Sequence, residues 1–85
     1  MIVIYGAEYC NFCQKAKELA ESYGIPYVYK DITDGGEYYL ELNEKVENFR
    51  TIPQIWMYNK YIGGYNDLVK EIEETNVGNY GQGAY

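Results

Sequence analysis

Cys10-Asn11-Phe12-Cys13 sets two thiols one helical turn apart, directly after the apolar run Ile2 to Tyr5 and directly before the amphipathic stretch Cys13 to Tyr23. Both sulfurs are therefore expected at a strand-to-helix turn. At a helix start, unsatisfied backbone N–H groups and the positive end of the helix dipole stabilise a thiolate, which is the nucleophile in thiol–disulfide exchange. Cys10 reads as the attacking sulfur. Cys13, one turn further in, reads as the sulfur that returns on it to close a disulfide. The chain has no other cysteine and no histidine. A tetrahedral zinc site takes about four Cys or His ligands, so no metal is expected here. A purely structural bridge over so short a loop would gain little chain-entropy stabilisation. Redox chemistry is what these residue types at this spacing serve best.

The chain that must position the pair has 85 residues, enough for one small domain with a modest core. The domain is expected over residues 1–75, followed by a Gly- and Tyr-rich mobile tail over 76–85. A formal net charge of −6 disfavours nonspecific nucleic-acid binding. Without a basic groove, the 12 tyrosines read as packing and interfacial residues rather than a base-stacking platform. No run approaches the roughly 20 apolar residues of a membrane span, and the N-terminus lacks the basic start of a signal peptide. A cytoplasmic monomer without membrane or nucleic-acid partners is expected.

Apolar and turn signals alternate as strand, helix, strand, helix, two strands, helix. Ile2 to Tyr5 has the continuous apolar character of a strand buried on both faces. Ala16, Leu19, Ala20 and Tyr23 recur at helical spacing, with Lys17 and Glu21 paired four apart on the outer face. Gly24 and Pro26 end that helix. Tyr27 to Asp31 supplies a second strand, broken by Asp34-Gly35-Gly36. Tyr39, Leu42, Val46 and Phe49 give a second amphipathic helix over Glu37 to Phe49. Gln54 to Tyr58 and Tyr61 to Ile62 flank Asn59-Lys60 at hairpin spacing. Tyr65, Leu68, Val69 and Ile72 mark a last helix, with Tyr65 or Asn66 near its cap.

With Arg50-Thr51-Ile52-Pro53-Gln54-Ile55 and Gly63-Gly64-Tyr65-Asn66-Asp67-Leu68 following the Cys10–Cys13 turn in order and at the same separations, the chain resembles the dithiol glutaredoxins of the thioredoxin fold over Met1 to about Glu74. The small size and short helices look similar to phage-encoded members. The resemblance implies an α/β fold, a four-stranded mixed sheet with three helices in the order β-α-β-α-β-β-α, and a cis bond before Pro53. A cis bond there directs the N–H and C=O of Ile52 toward the sulfurs, where an extended substrate segment can pair with them. It also implies Cys10 and Cys13 as catalytic residues, with glutathione as reducing co-substrate and no permanently bound cofactor. Arg50 corresponds to the basic residue that holds the glycine carboxylate in many glutaredoxins, a planar anion suited to a guanidinium. Thr51, Ile52 and Pro53 complete that side of the glutathione site. Tyr65, Asn66 and Asp67 match the end that receives the γ-glutamyl group, whose α-carboxylate suits helix N–H groups and whose amine suits Asp67. Phe12 keeps an aromatic wall where tyrosine is usual. Disulfide-containing clients such as ribonucleotide reductase are the implied protein partners.

Two departures weigh on the glutathione assignment. Asn11 replaces the commonest proline, and Ala7 stands where many glutaredoxins carry Lys or Arg, followed here by Glu8. A cation at position 7 would favour both the thiolate and the glycine carboxylate. Its absence keeps open a thioredoxin-like reductant recharged by a flavoprotein reductase. An iron–sulfur module is a further alternative, in which Cys10 thiolates and glutathione from two chains hold a [2Fe–2S] centre. A non-catalytic binding module of the same fold is the remaining one.

Overall fold

The computed structural model describes residues 1–74, so the expected tail over 76–85 lies outside the described residues. The elements are β1 (Ile2–Gly6), α1 (Asn11–Ser22), β2 (Tyr27–Asp31), α2 (Glu37–Lys45), β3 (Gln54–Met57), β4 (Lys60–Gly63) and α3 (Tyr65–Glu74). They form a four-stranded mixed sheet in the order β2-β1-β3-β4 with three helices, the α/β order expected from the sequence. β1 pairs parallel with β2, Ile2 opposite Tyr27 and Gly6 opposite Asp31. On its other side β1 runs antiparallel to β3, Ile4 opposite Ile55. No helix among the described residues is long and apolar enough to cross a membrane.

Strand alternation divides the core between the two faces of the sheet. Ile2, Ile4, Ile55 and Met57 meet Ala16 and Ala20 of α1 and Leu68 and Ile72 of α3. Tyr5 and Ile32 meet Leu42 of α2 on the opposite face, with Val3, Val46, Phe49, Ile52 and Trp56 packed around them. The small Ala16 and Ala20, both fully buried, let α1 lie close on β1 and hold the turn before it against the strand end. Gly24 ends α1 as expected, its φ of 68° being a left-handed value at which glycine has no steric cost. Its N–H bonds to the Glu21 carbonyl, and the Ile25 N–H to that of Ala20.

Three boundaries depart from the sequence pattern. The second helix ends at Lys45, not Phe49. Val46 is extended (φ −130°, ψ 94°) and Asn48 is left-handed (φ 61°). Val46 and Phe49 nevertheless reach the cluster around Leu42, which is why their spacing imitates a longer helix. The hairpin turn lies one residue earlier than expected. Tyr58 and Asn59 both have positive φ, 52° and 68°, and Met57 pairs with Lys60 across them. This is the left-handed pair that a two-residue hairpin loop of primed type requires. At the third boundary, α3 begins at Tyr65, so Gly64 takes the cap place. Its N–H donates to Asp67 Oδ2 at 2.9 Å, and its carbonyl accepts from the Leu68 N–H at 3.0 Å. A carboxylate three residues into the helix thus reaches back to the cap, as one half of a capping box.

Between the sheet and α2, Glu41 accepts from Lys30 Nζ at 2.6 Å and from the hydroxyl of buried Tyr5. Lys30, then Tyr5, hold the Glu41 carboxyl below its ordinary range, while burial and this carboxylate push the Tyr5 phenol up. A depressed carboxyl contributes stability that is fully present above its unfolded value, about 4.3, and is lost as pH falls through the lower folded value. The side chains of Lys30 and Glu41 are 23 and 33% exposed, so solvent screens the pair. Glu41→Gln should cost on the order of 1 kcal/mol at pH 7 and much less near pH 3. Urea unfolding of both proteins at the two pH values measures this, and equal gaps would contradict it.

Candidate active site

Cys10 is the N-cap of α1. Its backbone is extended (φ −92°, ψ 111°), and its carbonyl accepts the N–H groups of Cys13 and Gln14, each at 3.1 Å. Its sulfur occupies the place where a Ser or Asp oxygen usually caps a helix, accepting the Cys13 N–H at 3.1 Å. The sulfur thus receives a backbone donor at the positive end of the helix dipole. The sulfur is partly exposed and lies 3.7 Å from the Ile52 carbonyl, to which its thiol donates. Cys13 is fully buried. Burial first, then the neighbouring Cys10 sulfur, pushes the Cys13 thiol up to about 12, against the opposing effects of the Ala7 backbone amide and the Tyr29 hydroxyl. At neutral pH Cys13 therefore stays a thiol, and the accessible sulfur is Cys10.

The loop facing the sulfurs is fixed from below. The Ile52–Pro53 bond is cis, and Pro53 is buried. Gln54, 5% exposed, donates from Nε2 to the Thr51 carbonyl at 2.8 Å and accepts the Tyr61 hydroxyl at 2.6 Å. A buried amide bonded at both ends cannot turn without losing a partner, so it pins Thr51 and the residues after it. Arg50, Thr51 and Ile52 line a groove of about 340 Å³ with Tyr9, Ile32, Thr33, Gly35, Tyr39 and Phe49. Arg50 is exposed and forms no ion pair with a described residue, so its guanidinium is available to a carboxylate.

On the other side of Cys10, the Phe12 and Tyr65 rings stand 5.8 Å apart and join the start of α1 to the start of α3. Lys15 Nζ lies 5.5 Å from the Phe12 ring centre. Asn66 and Asp67 are exposed in the first turn of α3. Space left by the absent Gly64 side chain faces the Pro53 carbonyl, at 3.8 Å from where a Cβ would stand. The residues singled out in the sequence thus fall in two sets around Cys10: Arg50, Thr51, Ile52 and Pro53 on one flank, Phe12, Tyr65, Asn66 and Asp67 on the other. Asp67 is partly committed, since it already receives the Gly64 N–H.

Sequence reasoning missed the floor of the site. The Ala7 carbonyl accepts the Cys10 N–H at 3.1 Å, Gln14 Nε2 at 3.2 Å and the Tyr29 hydroxyl at 3.0 Å. Ala7, absent of charge, is fully buried and serves through its backbone. Gly6 is the nearest thing to a sequence signal for this floor, because glycine within a strand often marks close approach of another group. A Cβ there would stand 2.5 Å from Cys13 Sγ and 2.8 Å from the Tyr29 hydroxyl oxygen. Gly6→Ala should therefore displace both and destabilise the reduced protein by about 1–3 kcal/mol, the cost of overpacking. Denaturant unfolding under reducing conditions checks this; an unchanged midpoint would mean the floor yields freely.

The chain is similar to known proteins in sequence and fold. Residues 2–62 match the family model for glutaredoxin. Glutaredoxin 1 of Escherichia coli K12 is 35% identical over 79 residues, spanning 86% of this chain and 93% of that protein. The structure of reduced Escherichia coli glutaredoxin is similar at a TM-score of 0.74 and 33% identity, covering 88% of this chain and 95% of that one. A buckwheat glutaredoxin–glutathione complex reaches 0.73 at 23% identity, over 89% of this chain and 71% of that one, a likeness of fold.

Proposed function

Because the chain belongs to the glutaredoxin family and is a thiol-disulfide oxidoreductase, we propose that it draws electrons from glutathione and passes them to protein disulfides and glutathione mixed disulfides through Cys10 and Cys13. The observation that carries this reading is the inequality of the two sulfurs: Cys10 is accessible and accepts a helix N–H, whereas Cys13 is sealed beneath it. Cys10 thiolate attacks one sulfur of the target disulfide; the other leaves with the bonding pair and takes a proton. Cys13 then attacks Cys10, forming the Cys10–Cys13 disulfide and releasing the second target thiol. Two glutathione thiols reduce that disulfide and become glutathione disulfide.

Glutathione is held in an extended pose across Cys10. Its cysteinyl segment pairs with the Ile52 backbone, and its glycine carboxylate meets Arg50 and Thr51 in the groove beside the cis-proline loop. Its γ-glutamyl end meets the N–H groups of the first turn of α3, with Asn66 and Asp67 beside them, and Phe12 and Tyr65 form the wall. The buckwheat complex supports a glutathione ligand for this fold. A disulfide-forming enzyme such as ribonucleotide reductase is the proposed client, and the reducing cytoplasm the proposed setting.

One observation favours a second reading. Ala7 offers no cation to the site, and the second reading takes a flavoprotein reductase rather than glutathione as the electron source. A coupled assay with glutathione and its reductase, set against thioredoxin reductase, decides between them. The roles of the sulfurs are tested by substitution: Cys10→Ser should abolish every activity, while Cys13→Ser should keep removal of glutathione from small mixed disulfides and lose reduction of protein disulfides. Full mixed-disulfide activity in Cys10→Ser would falsify the assignment. Arg50→Ala should raise KM for glutathione mixed disulfides about tenfold, the scale of a charge-assisted hydrogen bond, with a smaller effect on kcat because the contact is remote from the sulfurs. An unchanged KM would leave Arg50 a solvated surface charge.

A further inference from the structure

Cys13 must react from an enclosed place. Its side chain is fully buried, and the Cys10 sulfur, the Ala7 amide and the Tyr29 hydroxyl surround its sulfur. Tyr29 comes from β2, the strand beside β1, where it pairs with Ile4 and packs on the α1 side of the sheet. Its hydroxyl and the Cys13 sulfur converge on the space where Gly6 has no side chain, 2.8 and 2.5 Å from a single point. In the reduced protein that hydroxyl donates to the Ala7 carbonyl at 3.0 Å. The same carbonyl also holds the Cys10 N–H and Gln14 Nε2. The hydroxyl can therefore leave without orphaning its acceptor.

We propose, on the footing of the dithiol reading above, that Tyr29 is a positioning residue for the resolving step, its hydroxyl turning from the Ala7 carbonyl to the Cys13 sulfur as negative charge gathers there. In that step the Cys13 thiol loses its proton to solvent and its electron pair forms the Cys10–Cys13 bond. The bond between Cys10 and the target breaks. The target sulfur departs with that bond's pair and takes up a proton, so the target disulfide is the only oxidant.

Timing favours this role. While Cys10 is a free sulfur, its hydrogen bond and charge oppose ionisation of Cys13, in addition to burial. Once Cys10 is joined to the target its charge is gone, and burial is opposed by the Ala7 amide and the Tyr29 hydroxyl. The amide is fixed by the backbone; the hydroxyl rotates about one bond. The charged groups that face this pair are Cys10 from the cap of α1, Lys17 of α1, with Nζ 4.3 Å from the Tyr29 ring centre, and Asp31 of β2. Burial first, then the charges of Cys13, Cys10 and Asp31, hold the Tyr29 phenol well above its ordinary value. It therefore remains a protonated donor as charge gathers on Cys13 in the resolving step.

Tyr29→Phe keeps the ring and its Lys17 contact and removes only the hydroxyl. In a Cys10→Ser background, the pH at which Cys13 reacts with iodoacetamide should rise by about one unit on Tyr29→Phe, the tenfold effect of a hydrogen bond to a charged group. With both cysteines present, the ratio of protein-disulfide reduction to glutathione removal should fall about tenfold. An unmoved alkylation profile, or an equal fall in both reactions, would overturn the proposal. A wild-type protein that reduces neither substrate would refute the functional reading, while the alkylation profile would still judge Tyr29. Should Tyr29→Phe not fold, the Cζ resonance of Tyr29 in Cys10→Ser protein serves instead. It should titrate together with Cys13, and a flat resonance while Cys13 ionises would overturn the proposal.

Discussion

The structure around the thiols depends on one hydrogen bond, from the Cys13 N–H to the Cys10 sulfur, which caps α1. It fixes a relation that spacing alone leaves open. By accepting from the first turn, the Cys10 sulfur turns toward the helix axis and the Ile52 carbonyl. The residue that donates to it, Cys13, is carried inward by the helix's own rotation. The cap therefore separates the two sulfurs into an accessible one and a buried one with no further device. A thiolate is a better acceptor at this position than a thiol, so on the proposed reading of Cys10 as the attacking sulfur the cap serves the helix start and the reaction together.

Everything beneath the cap keeps it from moving. β1 lies between β2 and β3, so its end is held by ladders on both sides, and the turn after it starts from a rigid strand. The Ala7 carbonyl then gathers donors from the turn, from α1 and from β2. Gln54 does the corresponding work for the facing loop by joining Thr51 to Tyr61 of β4. Both sides of the gap across Cys10 are thus referred to the same sheet. The geometry between the sulfur and the Ile52 carbonyl is set by backbone and buried amides rather than by surface side chains.

Much of this was legible in residue order. The strand-to-helix placement of Cys10 and Cys13, the stop at Gly24 and the sequence of seven elements follow from apolar period and turn chemistry. Those signals are local. The end of α2 was misread because Val46 and Phe49, though outside the helix, drop onto the same Leu42 cluster, and period reports burial without reporting backbone conformation. The hairpin shifted because Tyr58 carries no sign of the left-handed conformation it adopts. Tyr29 and Gln14 were invisible as site residues for a different reason. Each belongs, by pattern, to a strand or helix face, and only pairing β2 with β1 brings the tyrosine to the sulfur. Gly6 was the trace of that meeting, a missing side chain where two others converge.

The absent cation at position 7 then takes on a different physical meaning. A lysine or arginine beside the thiolate acts through charge, and charge at a solvent-facing turn is screened over about 8–10 Å at ordinary ionic strength. Here the inequality between the sulfurs rests on burial of Cys13, a short backbone donor to Cys10 and a closed ring of hydrogen bonds around the Ala7 carbonyl. None of these is screened appreciably by salt, because the partners touch and water is excluded from between them. In an acidic chain, whose surface would draw a lone cation toward many competing carboxylates, a difference between two sulfurs built from burial and backbone contacts does not depend on where those surface charges settle.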